Sequence, residues 1–176
     1  MAARSALGGY RVEALGRGHD RGEFSCGVPE LDTYLREQAT QDMVRHTASA
    51  FVLLRGDPRV LGYYTLSQLS INLSDLPGAT AKKLPRHPLM PATLIGRFAV
   101  DHRYHHMGLG TLLLMDALER SWWAAQQVAS YAVRVDATNE RARDDFYRRH
   151  DFVPFPTETM KLYIPMATLA SLFTSE

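Results

Sequence analysis

A glycine loop between a strand and a helix most constrains how this chain can fold. The run "TLIGRFAVD" has the β-branched and aromatic residues of a strand, and "HHMGLGTLLL" places Gly108 and Gly110 at the start of a long apolar helix. The first amides of a helix have no intrahelical acceptor, and the helix dipole adds positive potential there. The loop therefore predicts a site where main-chain amides hold an anionic group such as a pyrophosphate.

The spacing of this loop excludes two common nucleotide-binding motifs. A phosphate-binding ATPase loop needs a lysine directly after its second glycine, where this chain has Thr111. A dinucleotide fingerprint needs a third glycine where this chain has Leu113. An isolated G-x-G also occurs in ordinary tight turns into helices, so the loop alone leaves both an anion site and a structural turn open.

The surrounding pattern predicts an α/β fold in a single domain over residues 1–176. Residues 74–92, with four prolines, are expected to form a long extended loop, and a strand, helix and strand come after it as a βαβ unit. Strands are predicted at 10–15, 48–55, 59–71, 93–100, 131–136, 151–155 and 161–164, and helices at 28–46, 108–127, 139–150 and in "MATLASLF". Together they predict a mixed, twisted sheet of about six to seven strands flanked by helices.

Cysteine content and hydropathy bound the setting of the protein. Cys26 is the single cysteine, which excludes an internal disulfide and fits a reducing compartment. The opening "MAARSALGGY" lacks the apolar stretch of a secretory signal, and no apolar run reaches membrane-spanning length. We expect a cytoplasmic protein that does not bind a membrane.

Charged and histidine residues are unevenly distributed although the net charge is only +1. Basic residues cluster around the glycine loop and again between residues 141 and 149, which is typical of a solvated face but leaves a bound polyanion open. His102, His105 and His106 have the spacing H-x-x-H-H, yet Asp101 is the only supporting carboxylate, and no cysteine is near. We therefore predict no metal site.

Two stretches resemble the signature motifs of the Gcn5-related N-acetyltransferases (GNAT). That family has Gln or Arg, two residues, Gly, one residue, and Gly or Ala after its fourth strand; here "HHMGLG" has His105 in the Gln/Arg position. "DDFYRRHDF" is similar to the family's F-Y-x-x-x-G-F, with Asp151 replacing the glycine, and Asp tolerates the left-handed conformation. The resemblance implies a GNAT fold with a central βαβ acetyl-CoA site.

Longer stretches narrow the resemblance to the acetyltransferase toxins of bacterial toxin–antitoxin modules. They are "FSCGVPELDTYLREQA", "LGYYTLS", "LPGATAKKLPRHPLMPATLIGRFAVD" and "KLYIPMATLASLF", in order over nearly the whole chain. The resemblance implies an acetyl-CoA-dependent enzyme that acetylates the α-amino group of aminoacyl-tRNA, blocks translation and is neutralised by a ribbon-helix-helix antitoxin. It also implies a homodimer that binds DNA only through its complex with the antitoxin.

The resemblance assigns roles to particular residues. Acetyl-CoA is expected to contact Phe98, Ala99, Val100, His105, His106, Met107, Gly108, Leu109, Gly110, Thr111 and Asn139. For Asn139 a second role is open, because its interval to Tyr147 is one residue longer than the family pattern and an asparagine at a helix start is more often a cap. The tRNA-binding residues are expected to be Arg36, Arg45, Lys82, Lys83, Arg141, Arg148 and Arg149.

Tyr147 is the expected catalytic residue. A tyrosine hydroxyl, with an ordinary pKa of about 10, stays protonated at neutral pH and can donate a proton to the departing thiolate. No general base stands out among His102, His105, His106, Glu140 and Asp144. The α-amine of an aminoacyl ester is less basic than a lysine amine, so it can attack directly.

Three functions remain open from the sequence. The first is a tRNA-directed acetyltransferase toxin, and the second is an acetyltransferase for a free amine or a protein N-terminus. The third is a non-catalytic module that binds acyl-CoA or an antitoxin. Trp122 and Trp123 are expected to serve packing or a dimer contact rather than base stacking.

Overall fold

The computed structural model describes residues 7–174 and contains one mixed sheet. The strands are β1 (Tyr10–Ala14), β2 (Ser49–Arg55), β3 (Asp57–Asn72), β4 (Leu89–Val100), β5 (Ala132–Asp136), β6 (Val153–Pro154) and β7 (Lys161–Pro165). Their order is β1-β2-β3-β4-β5-β7-β6, with β4 and β5 parallel and the β1–β2, β2–β3, β5–β7 and β6–β7 pairs antiparallel. The predicted α/β fold, its mixed sheet and its βαβ unit are confirmed.

The helical segments depart from the prediction in their geometry. The α-helices are α1 (Pro29–Thr33), α2 (Ala39–Val44), α3 (Gly78–Ala81), α4 (Leu109–Ala125) and α5 (Met166–Phe173). A π-helical turn, Tyr34–Gln38, joins α1 to α2, and a second, Ala142–Tyr147, is followed by a 3₁₀ turn, Arg148–His150. The α-helices predicted at 28–46 and 139–150 are therefore only partly correct, because side-chain periodicity does not reveal i→i+5 bonding.

The prediction of a long extended loop over residues 74–92 is wrong in two places. Pro77, with φ near −53°, precedes the short helix α3, and β4 already begins at Leu89. Met90 and Ala92 are buried while their neighbours Leu89 and Pro91 are exposed, so burial alternates as in a strand. The proline content of the segment concealed this strand start, although a proline can stand in a strand where no ladder N–H is needed.

The chain divides into two compact units, and β3, β4 and α4 each contain residues of both. The first unit comprises the residues up to Ser67 together with Gly96–Ala117. Its core joins β2 and β3 to the helical segment 29–44 through buried side chains such as Leu35, Val52 and Tyr63. The prediction of a single domain stays a prediction.

The second unit comprises Gln68–Ile95 and the residues from Leu118 onward. Its core contains Ile71, Met90, Ala132, Phe155 and Tyr163. Parallel pairing of β4 with β5 runs from Ala92 to Ile95 on β4. The last part of β4 therefore extends beyond the residues that pair with β5.

Two glycines in the first unit have clear backbone roles. Gly56 has φ +77° in the tight turn from β2 to β3, where Arg55 pairs with Asp57 in an antiparallel hairpin. A Cβ at Gly62 would lie 3.0 Å from the Ala99 carbonyl oxygen and 3.3 Å from a Leu113 methyl group. Gly62 thus allows β3, β4 and the start of α4 to approach closely.

Candidate active site

Near the C-terminal end of β4, one edge of the strand is hydrogen-bonded to β3 and the other edge faces away from β3. The amides of Arg97 and Asp101 donate to Thr65 Oγ1 (3.0 Å) and to the Leu61 carbonyl (2.8 Å), both on β3. Because backbone groups alternate in direction along a strand, the peptide groups of Phe98 and Val100 point away from β3. A pantetheine arm could be added there as an extra strand, with Ala99 between the two outward peptide groups.

The loop after β4 is shaped by a side chain that replaces the usual family residue. His105 Nε2 lies 2.7 Å from the Val100 carbonyl oxygen, and the His105 amide is 3.4 Å from the His102 carbonyl. His105 therefore ties the loop back to the end of β4. His106, with φ +62°, and Gly108, with φ +77°, then turn the backbone into α4.

The start of α4 presents main-chain donors. The first i→i−4 bond runs from the Leu112 amide to the Gly108 carbonyl, at 3.2 Å. The amides of Leu109 and Gly110 precede this bond, and α4 has no acidic residue in its first turn to compete for them. Apart from its chain neighbours, no atom of the described residues lies within 4 Å of the position of a Cβ at Gly108. These features fit the pyrophosphate of acetyl-CoA.

Asp101 is a buried carboxylate that sequence reasoning did not assign to the site. It accepts hydrogen bonds from the Ser25 amide (3.2 Å) and the Arg103 amide (3.0 Å), and from Arg103 Nε (3.0 Å) and Nη2 (2.8 Å). Burial alone would raise the pKa of Asp101, but these hydrogen bonds outweigh it and hold the pKa below the usual range. Asp101 thereby fixes the turn His102–Tyr104 that leads into the glycine loop.

We expect Asp101→Asn to lower the free energy of unfolding by about 2 kcal/mol at pH 7, since Arg103 loses its charged partner. The pKa of Asp101 is lower in the folded than in the unfolded protein, so this contribution is fully present above about pH 4 and is lost as pH falls through the folded-state pKa. Urea unfolding should show the difference from wild type shrinking towards about pH 3.

Asp144→Asn is the matched control for this prediction. Hydrogen bonding to Arg143 also lowers the pKa of Asp144, but the Asp144 side chain is 42% exposed, and solvent screens the pair. It should change stability little at either pH. An Asp101→Asn penalty of equal size at both pH values would contradict the assigned charge effect.

Tyr147 ends the second π-helical turn and is 7% exposed. Its ring makes edge contacts with Phe146 and Phe152, at centroid distances of 5.1 and 5.5 Å. Burial, followed by the nearby Asp136 carboxylate, raises the pKa of Tyr147 well above the usual range. The raised pKa keeps the proton on the hydroxyl, which has no hydrogen-bond partner within residues 7–174 and is therefore available to an acceptor.

Asn139 caps the helical segment that contains Tyr147. Its side-chain oxygen accepts a hydrogen bond from the Ala142 amide at 2.8 Å, and its carbonyl accepts one from the Arg143 amide at 3.1 Å. A π turn contains one more residue than an α turn, so the Ala142–Tyr147 turn absorbs the extra residue counted between Asn139 and Tyr147. Asp151 then adopts φ +69°, as expected for a residue in place of the family glycine.

The seven basic residues expected to bind tRNA are all exposed: Arg36, Arg45, Lys82, Lys83, Arg141, Arg148 and Arg149. Arg36 donates to the Phe24 carbonyl in the first unit, where Arg45 also lies. The other five belong to the second unit, and three of them lie on the helical segment after Asn139. Arg141 lies 3.7 Å from Asp145 and Arg148 lies 3.6 Å from Asp144, both weak surface contacts.

The structure does not single out a general base. His102 Nδ1 lies 2.7 Å from the Ser25 carbonyl, Asp144 pairs with Arg143, and Glu140 is exposed. Among the described residues, no group of three or more His, Cys, Asp or Glu side chains is arranged to hold a metal ion. Across residues 7–174 there is also no helix with the length and apolar character needed to cross a membrane.

Comparison with known proteins defines the class. Residues 49–154 match the family described as "Acetyltransferase (GNAT) domain", and the chain belongs to this family. It is 37% identical to a tRNA-acetylating toxin of Mycobacterium tuberculosis (strain ATCC 25618 / H37Rv) over 149 residues, which cover 85% of this chain and 87% of the relative.

Solved toxin structures share the fold. A tyrosine-to-phenylalanine mutant of KacT has a TM-score of 0.88 and 29% identity, covering 93% of this chain and 99% of that chain. AtaT in complex with acetyl-methionyl-tRNAfMet has a TM-score of 0.86 and 28% identity, with the same coverage. An AtaT mutant has also been solved with acetyl-CoA and the C-terminus of the antitoxin AtaR (TM-score 0.79, 26% identity, covering 94% and 99%).

Proposed function

We propose that this chain is a toxin N-acetyltransferase that transfers the acetyl group of acetyl-CoA to the α-amino group of aminoacyl-tRNA. The observation that carries the proposal is its similarity, over nearly the whole chain, to tRNA-acetylating toxins and to AtaT solved with an acetylated aminoacyl-tRNA. The protonated hydroxyl of the buried residue Tyr147 supports an enzyme over a passive binding module. We further propose neutralisation by an antitoxin, as AtaT binds AtaR, and action in the cytoplasm, where charged tRNA is found.

Acetyl-CoA, when bound, supplies the acetyl group as a thioester. The amides of Leu109 and Gly110 hold its pyrophosphate. The outward peptide group of Phe98 and the outward amide of Val100 align its pantetheine arm, since the Val100 carbonyl is already bound to His105. The neutral α-amine attacks the carbonyl carbon, the carbon–sulfur bond breaks, and the amine releases a proton to solvent. The Tyr147 hydroxyl donates its proton to the sulfur as negative charge develops there, so CoA leaves as a thiol, and a proton from solvent then restores the hydroxyl.

The exposed basic residues support a polyanionic acceptor. Arg148 and Arg149 come directly after Tyr147, so their side chains leave the same helical segment as the proposed catalytic residue. An acetyltransferase for a small amine has no use for such a surface. We propose that Arg36, Arg45, Lys82, Lys83, Arg141, Arg148 and Arg149 contact tRNA phosphates. Trp123, 48% exposed on α4, is our proposed contribution to a homodimer.

Incubation with radiolabelled acetyl-CoA and charged total tRNA tests this function. We expect label on aminoacyl-tRNA, none on deacylated tRNA, and an apparent KM for tRNA that rises steeply with salt while acetyl-CoA binding changes less. Expression without the partner antitoxin should arrest growth by blocking translation. Label found only on free lysine, polyamine or protein N-termini would show that the acceptor is a different amine. No acetyl transfer at all would favour a binding module.

A further inference from the structure

Arg97 on β4 holds an unusual position for a cation. Its side chain is partly buried, and its guanidinium carbon lies 3.6 Å from the centroid of the Tyr34 ring. Ala99, two residues further on the same face of the strand, belongs to the core that also contains Tyr34. The guanidinium therefore lies between β4 and the helical segment 29–44.

The guanidinium of Arg97 has no ion pair and no hydrogen bond with any residue in the described range 7–174. Two partly buried or helix-borne arginines of the first unit do have such partners: Arg21 donates to the Leu35 carbonyl at 2.7 Å, and Arg36 to the Phe24 carbonyl at 2.9 Å. The carboxylate of Asp42, the residue bound to the same tyrosine, accepts a hydrogen bond from the Tyr34 hydroxyl at 2.7 Å and not from Arg97. The Arg97 nitrogens are accessible to solvent, so water satisfies them in the free protein and a ligand can take the place of that water.

The stacking geometry leaves Arg97 ready for an anion. A guanidinium placed over an aromatic ring uses its face for the cation–π contact, while its N–H groups point outward in its own plane. The ring also restricts the side chain, which reduces the entropy lost on binding. This arrangement favours bidentate binding of a planar or tetrahedral oxyanion, a carboxylate or a phosphate.

The substrate of the proposed reaction decides between the two anions. The amino acid of an aminoacyl-tRNA is esterified, so its carboxylate no longer carries charge, and the remaining anions are phosphodiesters. The phosphodiester closest to the reacting amine is the one that links the terminal nucleotide. Arg97 directly precedes Phe98, which we have placed at the thioester-bearing arm of acetyl-CoA.

We propose that Arg97 binds the phosphodiester of the terminal nucleotide and thereby positions the α-amine for attack. The inference rests on the proposed function and names a contact within that same site. It concerns the single-stranded end of the substrate, whereas the exposed basic residues would contact phosphates further along the tRNA.

Kinetics of Arg97→Gln test the contact. We expect the KM for aminoacyl-tRNA to rise about tenfold or more, as for loss of a charged hydrogen-bonded pair, with the KM for acetyl-CoA unchanged. The slope of log KM against log salt should fall by about 0.7, the value for one phosphate of a single strand. Arg55→Gln is the matched control: Arg55 also stacks on a tyrosine, 4.9 Å from the Tyr10 centroid, and its loss should leave both KM values unchanged.

A chemical change in the substrate tests the same contact without altering the protein. An aminoacylated minihelix with an uncharged methylphosphonate at the terminal linkage should raise the KM of the wild-type enzyme by the factor seen for Arg97→Gln. Combining the two changes should cost no more than either alone.

Two results would overturn the inference while leaving the proposed function intact. The first is that Arg97→Gln and the methylphosphonate have additive effects on KM. The second is that Arg97→Gln raises only the KM for acetyl-CoA, which would place a CoA phosphate on Arg97. Failure of the wild-type enzyme to acetylate the unmodified minihelix and charged tRNA would instead overturn the proposed function, and the inference with it.

Discussion

Tyr147→Phe should lower kcat by a factor on the order of a hundred or more while leaving acetyl-CoA affinity unchanged. Phenylalanine keeps the ring contacts with Phe146 and Phe152, so only the hydroxyl is lost. Because burial raises the pKa of Tyr147, the wild-type rate should not fall through tyrosine ionisation up to about pH 10. Single-turnover acetylation of charged tRNA, followed across pH, measures both effects.

Tyr131→Phe provides a control in the same unit. Burial also raises the pKa of Tyr131, but no role in the reaction is proposed for it. This variant should keep full activity and a similar thermal stability. If Tyr147→Phe turned over at the wild-type rate, Tyr147 would be a core residue only, and the proton donor would have to be sought elsewhere.

Gly108→Val should weaken acetyl-CoA binding at least tenfold. The residue has φ +77°, a conformation in which a β-branched side chain is strained by about 1–3 kcal/mol. Since no atom of the described residues beyond its chain neighbours lies within 4 Å of the new Cβ, the valine would project into the open space where we place the pyrophosphate. Calorimetry with acetyl-CoA measures the change in Kd.

The β2–β3 turn offers a control with the same backbone conformation. Gly56 also has φ +77°, and a Cβ there would likewise meet nothing within 4 Å among the described residues. Gly56→Val should therefore carry a similar cost in stability with unchanged acetyl-CoA affinity. Calorimetric traces that are identical for the wild-type and a folded Gly108→Val protein would remove the glycine loop from the cofactor site.

The overall architecture follows from local sequence signals, and its irregularities do not. The alternation of β-formers predicted all seven strands, and the glycine loop with its apolar run predicted α4 and the parallel βαβ unit. The sequence does not predict the start of β4 at Leu89, because Pro88 precedes it and Pro91 lies within the strand. Only the folded structure shows that Met90 is buried. The two π-helical turns depend on tertiary packing that no periodicity records.

For the candidate site, the sequence predicts which residues to consider but not the contacts that each one makes. His105 was expected in the loop, yet its bond to the Val100 carbonyl depends on how the chain folds back on β4. The sequence indicates Asp101 only as a possible metal ligand, because its hydrogen bond to the Ser25 amide joins residues far apart in the chain. Arg97 was visible as one of several basic residues, and only the stacking on Tyr34 distinguishes it.

The π-helical turn before Tyr147 affects how relatives of this chain should be aligned. The π turn accommodates one additional residue without displacing the residues that follow it. An alignment of homologues with and without that residue will therefore contain one single-residue gap between Asn139 and Tyr147. Counting forward from the asparagine would then pair Tyr147 with the wrong neighbour. Counting backward from Asp151 and the aromatic residue after it keeps the tyrosines matched, and functional assignments should be transferred from that side.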